Sequence, residues 1–327
     1  EMIKRHALIR RLSSVETLGS ATIICSDKTC TLTQNEMIVT RLWVDGTFVE
    51  VTGQGYTPDG EFIVGGNKVN LNDFPAVKTA LWVGALNNDA ILEETTIEGQ
   101  PTQYRMVGDP TEGSILVAAY KAGGKHGGLS NAYPRKNEIP FDSERKRMVT
   151  IHSVDNPTLE DLSPFVDETR KGWHVIAVKG APDIVLNLCK SIQPMNDGEP
   201  LPLTDKIRAE IGQANDELTR GALRVLGMAY RMVKDVPGEL ESRELEKDLI
   251  FAGLVGMIDP ARPEVKPAMQ TAANAGIRTL MITGDYPNTA RAIAENIGLL
   301  RPGHKVLTGA QLDEIDDKQL VAEVEQT

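Results

Sequence analysis

Cysteine is scarce in this 327-residue chain, which carries Cys25, Cys30 and Cys189 and no others. The number is odd and the spacing fits no zinc pattern, so the expectation is reduced thiols rather than a disulfide framework or a structural metal site. Long apolar runs are also missing. The longest, LIFAGLVGMI at 249–258, is about half of what a membrane-spanning helix requires, so no bilayer span and no secretory leader is expected here. The five histidines, His6, His126, His152, His174 and His304, fall at no ligand spacing and take no role. Positive charge is in deficit: the net charge of −11 argues against nucleic acid as a partner but leaves room for a local basic pocket around a nucleotide. Internal repeats and long low-complexity tracts are absent, and KAGGKHGGLS (121–130) reads as a flexible loop and nothing more.

What is present is ordinary globular composition, with 41% hydrophobic and 25% charged residues and enough length for two domains. The chain opens with Glu1 and closes on VAEVEQT, which reads as an excised, soluble piece of something longer. A basic amphipathic start runs to Arg11. ATIICSD (21–27) then reads as a buried strand. RLWVDGTFVEV alternates across Asp45-Gly46, a hairpin signal. PAVKTALWVGALNND carries apolar residues at helical spacing, and TEGSILVAAYKAGG reads as a helix stopped by glycines. WHVIAVKGAPDIVLNLC predicts strand, turn and helix. The stretch from Asp205 to Val233 predicts a long helix, a break near Gly221 and a strand.

From about residue 249 the pattern becomes strand, helix, strand, helix: IFAGLVGMID, EVKPAMQTAANAGI, RTLMITGD, NTARAIAENIGL. That alternation implies a doubly wound parallel sheet. The strand at 21–27 has the same character. The economical reading is an α/β domain made from both ends of the chain, residues 1–37 and 256–327, with a large mixed α/β domain inserted at 38–255.

Ligands of open parallel sheets bind at the carboxyl ends of the strands. Asp27 ends one such strand, and Thr283-Gly284-Asp285 end another. An aspartate there could hold a metal, or act as a nucleophile that forms an acyl phosphate. Lys28, Thr29, Thr31 and Thr33 add a positive charge and hydroxyls, and loop N–H groups could cradle phosphate oxygens.

The string SDKTCTLTQNEM (26–37) resembles the phosphorylation loop of the P-type cation-transporting ATPases, Asp-Lys-Thr-Gly-Thr-Leu-Thr, which belong to the haloacid-dehalogenase-like superfamily. VGDPTEGSIL (107–116), FDSERKRM (141–148), VKGAPD (178–183), MIDPARPEV (257–265) and MITGDYPNTARAIAENIG (281–298) match in the family's order and span nearly the whole chain. LIRRLSSVETLG (8–19) is similar to the stretch that follows the fourth transmembrane helix, and FDSERKRM with KGAPD looks most like the calcium-pump branch.

The resemblance implies a haloacid-dehalogenase-like doubly wound sheet, incomplete here, with an inserted nucleotide-binding domain. It implies that Asp27 takes the γ-phosphate of ATP. Mg²⁺ would sit on Asp27 and the backbone carbonyl of Thr29, with Lys28 beside them. Thr283 and Gly284 would hold phosphoryl oxygens, and Asp285 would order their surroundings. Asp259 and Arg262 would reach the nucleotide's sugar and phosphates. Adenine would lie against Phe141 with Lys179 and Gly180 at the pocket floor, and Glu112, Lys146 and Arg224 would complete the site. In the whole protein the implied partners are ATP, an actuator domain and a membrane domain that carries the cation, on the cytoplasmic face of a membrane.

Two departures bear on this. Cys30 stands where the family has glycine. A side chain there crowds the phosphate, and a positive φ would cost on the order of 1 kcal/mol. Displacing the aspartate by ~1 Å could cost on the order of a hundredfold in rate. A redox-sensitive loop, with the Cys30 thiol activated near Lys28, is the alternative for this cysteine. The family's later Gly-Asp-Gly-x-Asn-Asp motif is not within residues 1–327, so the expectation is ATP binding with little turnover by this span alone. A non-catalytic ATP-binding module is therefore one alternative for the chain. The other is a dehalogenase-like phosphatase, which typically has a second acid two residues after the nucleophile; Thr29 stands there instead.

Overall fold

The structure is a computed structural model that describes residues 19–96, 102–124, 127–159, 161–165, 167–196, 198–236 and 242–327. The basic start and most of the stretch after it, residues 1–18, lie outside the described residues, as does His126. The chain divides into two compact units, one from Glu1–Asn35 with Pro260–Thr327, the other from Glu36–Asp259. The described strands, in chain order, are β1 (Ile23–Asp27), β2 (Ile38–Val44), β3 (Thr47–Val51), β4 (Phe62–Val64), β5 (Asn67–Lys68), β6 (Ile91–Thr95), β7 (Gln103–Val107) and β8 (Arg135–Asp142). They continue with β9 (Arg147–Ser153), β10 (His174–Gly180), β11 (Cys189–Ile192), β12 (Leu201–Pro202), β13 (Arg224–Val233), β14 (Leu249–Ile258) and β15 (Arg278–Ile282).

The larger unit is built on an eleven-stranded sheet. Nine strands follow the order β5-β4-β3-β2-β14-β13-β10-β9-β8, each pair antiparallel; β11 adds to β14 in parallel and β12 to β11. β6 and β7 form a separate antiparallel ribbon. The β2–β3 hairpin turns at Asp45 and Gly46, both at positive φ (41° and 78°). That is the backbone a two-residue primed turn demands, and it is why Asp-Gly signals a hairpin.

Strand alternation divides the core. Leu42 and Val44 of β2 with Val175 and Ala177 of β10 pack on the helices Pro75–Leu86 and Pro110–Lys121. Trp43, Ile176 and Val178 face the other way, toward the helices Pro182–Asn187 and Asp205–Arg220. The inner strands of the sheet are thus apolar on both faces and covered on both, while the outer strands β5, β8 and β12 are largely exposed. Trp82 anchors the first layer with Tyr133, Phe165 and Tyr230 packed edge-on around it.

Three expectations change. The run 249–258 does not open a parallel α/β series; β14 lies in the antiparallel sheet between β13 and β2. A strand apolar on both faces reads the same in either kind of sheet, so its direction depends on its partners. Gly128–Ser130, placed at the end of a flexible loop, instead open a short helix, Gly128–Ala132, whose Leu129 and Ala132 are buried in the core. Finally, β1 is not a buried strand: Ile23 and Ile24 are 53% and 42% exposed.

The reason for that exposure lies in the smaller unit. There β1 pairs in parallel with β15, in a two-stranded sheet. Two strands with short helices leave apolar side chains uncovered. The helix Val265–Asn274 precedes β15 and Pro287–Asn296 follows it, and Leu32, Val265 and Ile297 make a small core with Met269 and Met281 packed against it. The described fold is mixed α/β.

Candidate functional site

In the smaller unit the β1–β15 register sets Asp27 opposite Ile282, so both strands end level. The loops leaving them, Lys28–Leu32 and Thr283–Asp285, therefore start side by side at one sheet edge. Asp27 is exposed and makes no side-chain cap to the loop that follows it. Its neighbour Lys28 is buried, and its Nζ is ion-paired with the Asp285 carboxylate. Thr283 Oγ1 accepts a hydrogen bond from the Asp285 amide at 3.1 Å. Four predicted residues, Asp27, Lys28, Thr283 and Asp285, are thus tied to one place, with Gly284 between the last two and Thr29 exposed in the facing loop.

That loop has an irregular backbone. Thr29 is extended (φ −72°, ψ 135°), and Cys30 sits in the left-handed region (φ 62°, ψ −11°). The segment after Pro260 straps it: the Arg262 amide donates to Leu32 O at 2.9 Å, and its Nη2 to Cys30 O at 3.1 Å. Arg262, expected on a nucleotide, here braces the loop. Asp259 falls in the larger unit, where its Oδ1 accepts from the Glu36 amide at 3.3 Å.

The larger unit gathers a second cluster. Lys179, next to last in β10, is 6% exposed. Its Nζ donates to Asn87 O and, at 2.6 Å, to Glu112 Oε1. Burial lowers its pKa from the usual lysine value, and the Glu112 carboxylate opposes that shift. Glu112 lies in the first turn of Pro110–Lys121, a helix capped by Asp109, which accepts from Thr111 N at 2.7 Å. Glu112 Oε2 accepts from Asp89 N at 2.9 Å. Arg224 joins through the next hydroxyl, its Nη1 donating to Thr111 Oγ1 at 2.8 Å.

Gly180 ends β10 under the β8–β9 turn. A Cβ there would lie 2.5 Å from Lys146 O and 2.6 Å from Arg147 Cβ, so glycine alone allows this approach. The Lys146 carbonyl accepts from Ala181 N at 3.0 Å. A chain of contacts thus connects Lys146, Gly180, Lys179, Glu112, Thr111 and Arg224. Phe141, 64% exposed, lies near the end of β8, one residue before Asp142, which pairs with Arg147.

Sequence reasoning missed the braces behind this cluster. Asn87 Nδ2 donates to Ala177 O (2.7 Å) and Met148 O (3.0 Å), locking two strands beneath Lys179. Asn88 Nδ2 donates to Glu112 O at 2.8 Å. Arg135 Nη1 reaches Asp89 (2.5 Å) and Glu138 (2.6 Å), and its Nη2 reaches Asn88 O (2.6 Å). The available signal was the polar Asn-Asn-Asp directly after an apolar helix. A cavity of about 360 Å³ is lined by Arg147, Glu246 and residues 187–190 and 247–248, and by none of the predicted site residues.

No group of three or more His, Cys, Asp or Glu side chains able to hold a metal occurs among the described residues. No helix among them is long and apolar enough to cross a membrane.

Comparison with known proteins gives the family. The chain is 40% identical over 325 residues to a calcium-transporting ATPase of Bacillus subtilis, covering 99% of this chain and 34% of that protein. It is 38% identical over 330 residues to the cation-transporting ATPase pma1 of Synechocystis, covering 99% and 34%. It is 36% identical over 324 residues to calcium-transporting ATPase 1 of Bacillus cereus, covering 99% and 31%. The chain thus spans about a third of the length of the curated relatives it matches. Residues 76–264, more than half of the chain and most of the larger unit, match the family described as P-type ATPase, cytoplasmic domain N, and the chain belongs to that family.

Proposed function

We propose that this chain is the ATP-binding and phosphate-accepting part of an ATP-driven cation pump of the calcium-transporting kind, working at the cytoplasmic face of a membrane. Under this reading the smaller unit, residues 1–35 and 260–327, belongs to a haloacid-dehalogenase-like phosphorylation domain, and the larger, residues 36–259, forms the inserted nucleotide-binding domain, a few residues from the bounds expected at 37–38 and 255–256. The observation that carries the reading is the level ending of β1 and β15. It leaves the Asp27 carboxylate exposed beside Thr283, Gly284 and the Lys28–Asp285 pair.

In the proposed step a carboxylate oxygen of Asp27 bonds to the γ-phosphorus of ATP. The bond from that phosphorus to the bridging oxygen breaks, and ADP leaves with the electron pair. The product is an aspartyl phosphate. Phosphoryl transfer of this kind needs positioning and charge neutralisation more than a strong nucleophile. Lys28 supplies positive charge, and Thr283 and Gly284 offer a hydroxyl and an N–H to the phosphoryl oxygens. An exposed carboxylate with a neighbouring loop carbonyl suits Mg²⁺, which is bound through one or two carboxylates plus phosphate and water. Asp27 and the Thr29 carbonyl would hold it, and when bound it offsets phosphate charge. Phe141 would stack on adenine. Lys179, Gly180 and Glu112 would form the pocket floor, and Lys146, Arg224 and Asp259 would face ribose and phosphates.

The test is labelling of the full-length pump with γ-labelled ATP. The expected product is acid-stable and hydroxylamine-sensitive, and Asp27→Asn abolishes it. A pump that still takes up the label after that change would overturn the reading. One observation favours a second reading, an ATP-binding module with weak turnover: Cys30, at φ 62°, holds a left-handed backbone that suits glycine.

A further inference from the structure

Glu246 is 2% exposed, yet neither the motifs nor the proposed site includes it. It lies just after the helix Ser242–Leu245 and before β14. Its two carboxylate oxygens are divided between two guanidinium groups: Oε1 takes Arg145 Nη2, and Oε2 takes Arg147 Nη2 at 2.6 Å. Arg147 Nη1 also donates to Arg145 O at 3.0 Å. The residue between these two arginines is Lys146.

Lys146 occupies a demanding position. Its φ is 54°, a left-handed backbone on a residue that is not glycine. Such a conformation persists only where the surroundings over-determine it. Two main-chain bonds contribute: Lys146 N donates to Asp142 O at 2.6 Å, and Lys146 O accepts from Ala181 N at 3.0 Å. The Asp142 side chain takes the Glu144 and Arg145 amides at 2.9 and 2.8 Å, shaping the turn before it. The remaining tie is electrostatic. Three successive cations at a tight turn repel one another, and the buried Glu246 carboxylate offsets the outer two. The Lys146 side chain is exposed and makes no ion pair among the described residues, and the arginines that flank it are both committed to Glu246.

We propose that Glu246 is a positioning residue of the nucleotide site: it clamps Arg145 and Arg147 so that the Lys146 ammonium is held out to the phosphate groups of bound ATP. This rests on the nucleotide reading above.

The test is calorimetric binding of ATP and of adenosine to the chain and to Glu246→Gln, Lys146→Ala and the double variant, with circular dichroism as the check of folding. Glu246→Gln is expected to weaken ATP about tenfold and leave adenosine within about twofold. In the Lys146→Ala background the same change is expected to add less than about twofold, because the two residues act as one unit. Should Glu246→Gln fail to fold, Arg145→Gln keeps the Glu246–Arg147 pair. It is expected to weaken ATP about threefold, again with no further loss once Lys146 is gone. Unchanged ATP affinity in a folded variant overturns the proposal, and so does a loss that adds in full to that of Lys146→Ala. Parallel loss of adenosine binding reduces Glu246 to a structural role. An unaltered chain that binds neither ligand overturns the nucleotide reading itself.

Discussion

Asp27 and Lys179 both carry charge at the end of a strand, but their settings are opposite. Asp27 closes a strand in a two-stranded parallel sheet, exposed and uncapped. Lys179 lies inside an eleven-stranded sheet, sealed against Asn87 and Glu112. Under the proposed function the contrast has a physical sense. A carboxylate that must reach a phosphorus atom has to be uncovered. A cation that shapes a binding pocket gains from being fixed in advance, because little ordering then remains to be done when the ligand arrives.

The largest expected effect tests whether the second charge really is locked. Glu112→Ala removes the carboxylate beside Lys179 and leaves its charge buried, which typically costs about 3–5 kcal/mol. Urea unfolding should show the loss in the larger unit. An unchanged midpoint would mean that Lys179 sheds its proton or escapes to water, and the contrast would fail.

The next prediction concerns the open site. Cys30→Gly relieves the left-handed backbone and clears space near the proposed phosphate position. In the full-length pump the rate of aspartyl phosphate formation is expected to rise by up to about a hundredfold. Equal rates for the two versions would show that the loop tolerates the side chain.

The smallest effect sharpens the account of the larger unit's interior. His152 is buried, with its Nδ1 2.9 Å from Tyr133 O, and burial drives its pKa down to about 4 from 6.5. The folded state therefore keeps it neutral while the unfolded chain takes up a proton. The resulting stability is fully present above pH 6.5, declines as the pH falls toward 4, and is gone below that. Between pH 7 and pH 5 the loss is about 2 kcal/mol. His152→Gln should remove that portion of the acid sensitivity in unfolding measurements at the two pH values.

How much could be read in advance varied with the range of the interaction. Asp45-Gly46, the helix Pro75–Leu86 and the break after Arg220 were legible because each depends on a few neighbouring residues: a turn that needs positive φ, an apolar stripe, a glycine that ends a helix. The exposure of Ile23 and Ile24 was not legible, because burial of a strand is decided by what lies on either side of it. The same holds for β14, whose composition suits either strand direction. In the site, Asp27, Glu112 and Lys179 stood in recognisable motifs. Asn87, Arg135 and Glu246 did not, since their significance comes from partners tens to more than a hundred residues away.

By itself the sequence determined the family, the order of the motifs and the chemistry each side chain could offer, because those are properties of residue types and short spacings. Only the tertiary structure decided that Asp27 ends level with the 283–285 loop, that Lys179 is sealed by Glu112, and that a distant glutamate grips both arginines around Lys146. Burial, strand register and charge pairing are relations between segments remote along the chain, and they acquire values only when folding brings those segments together.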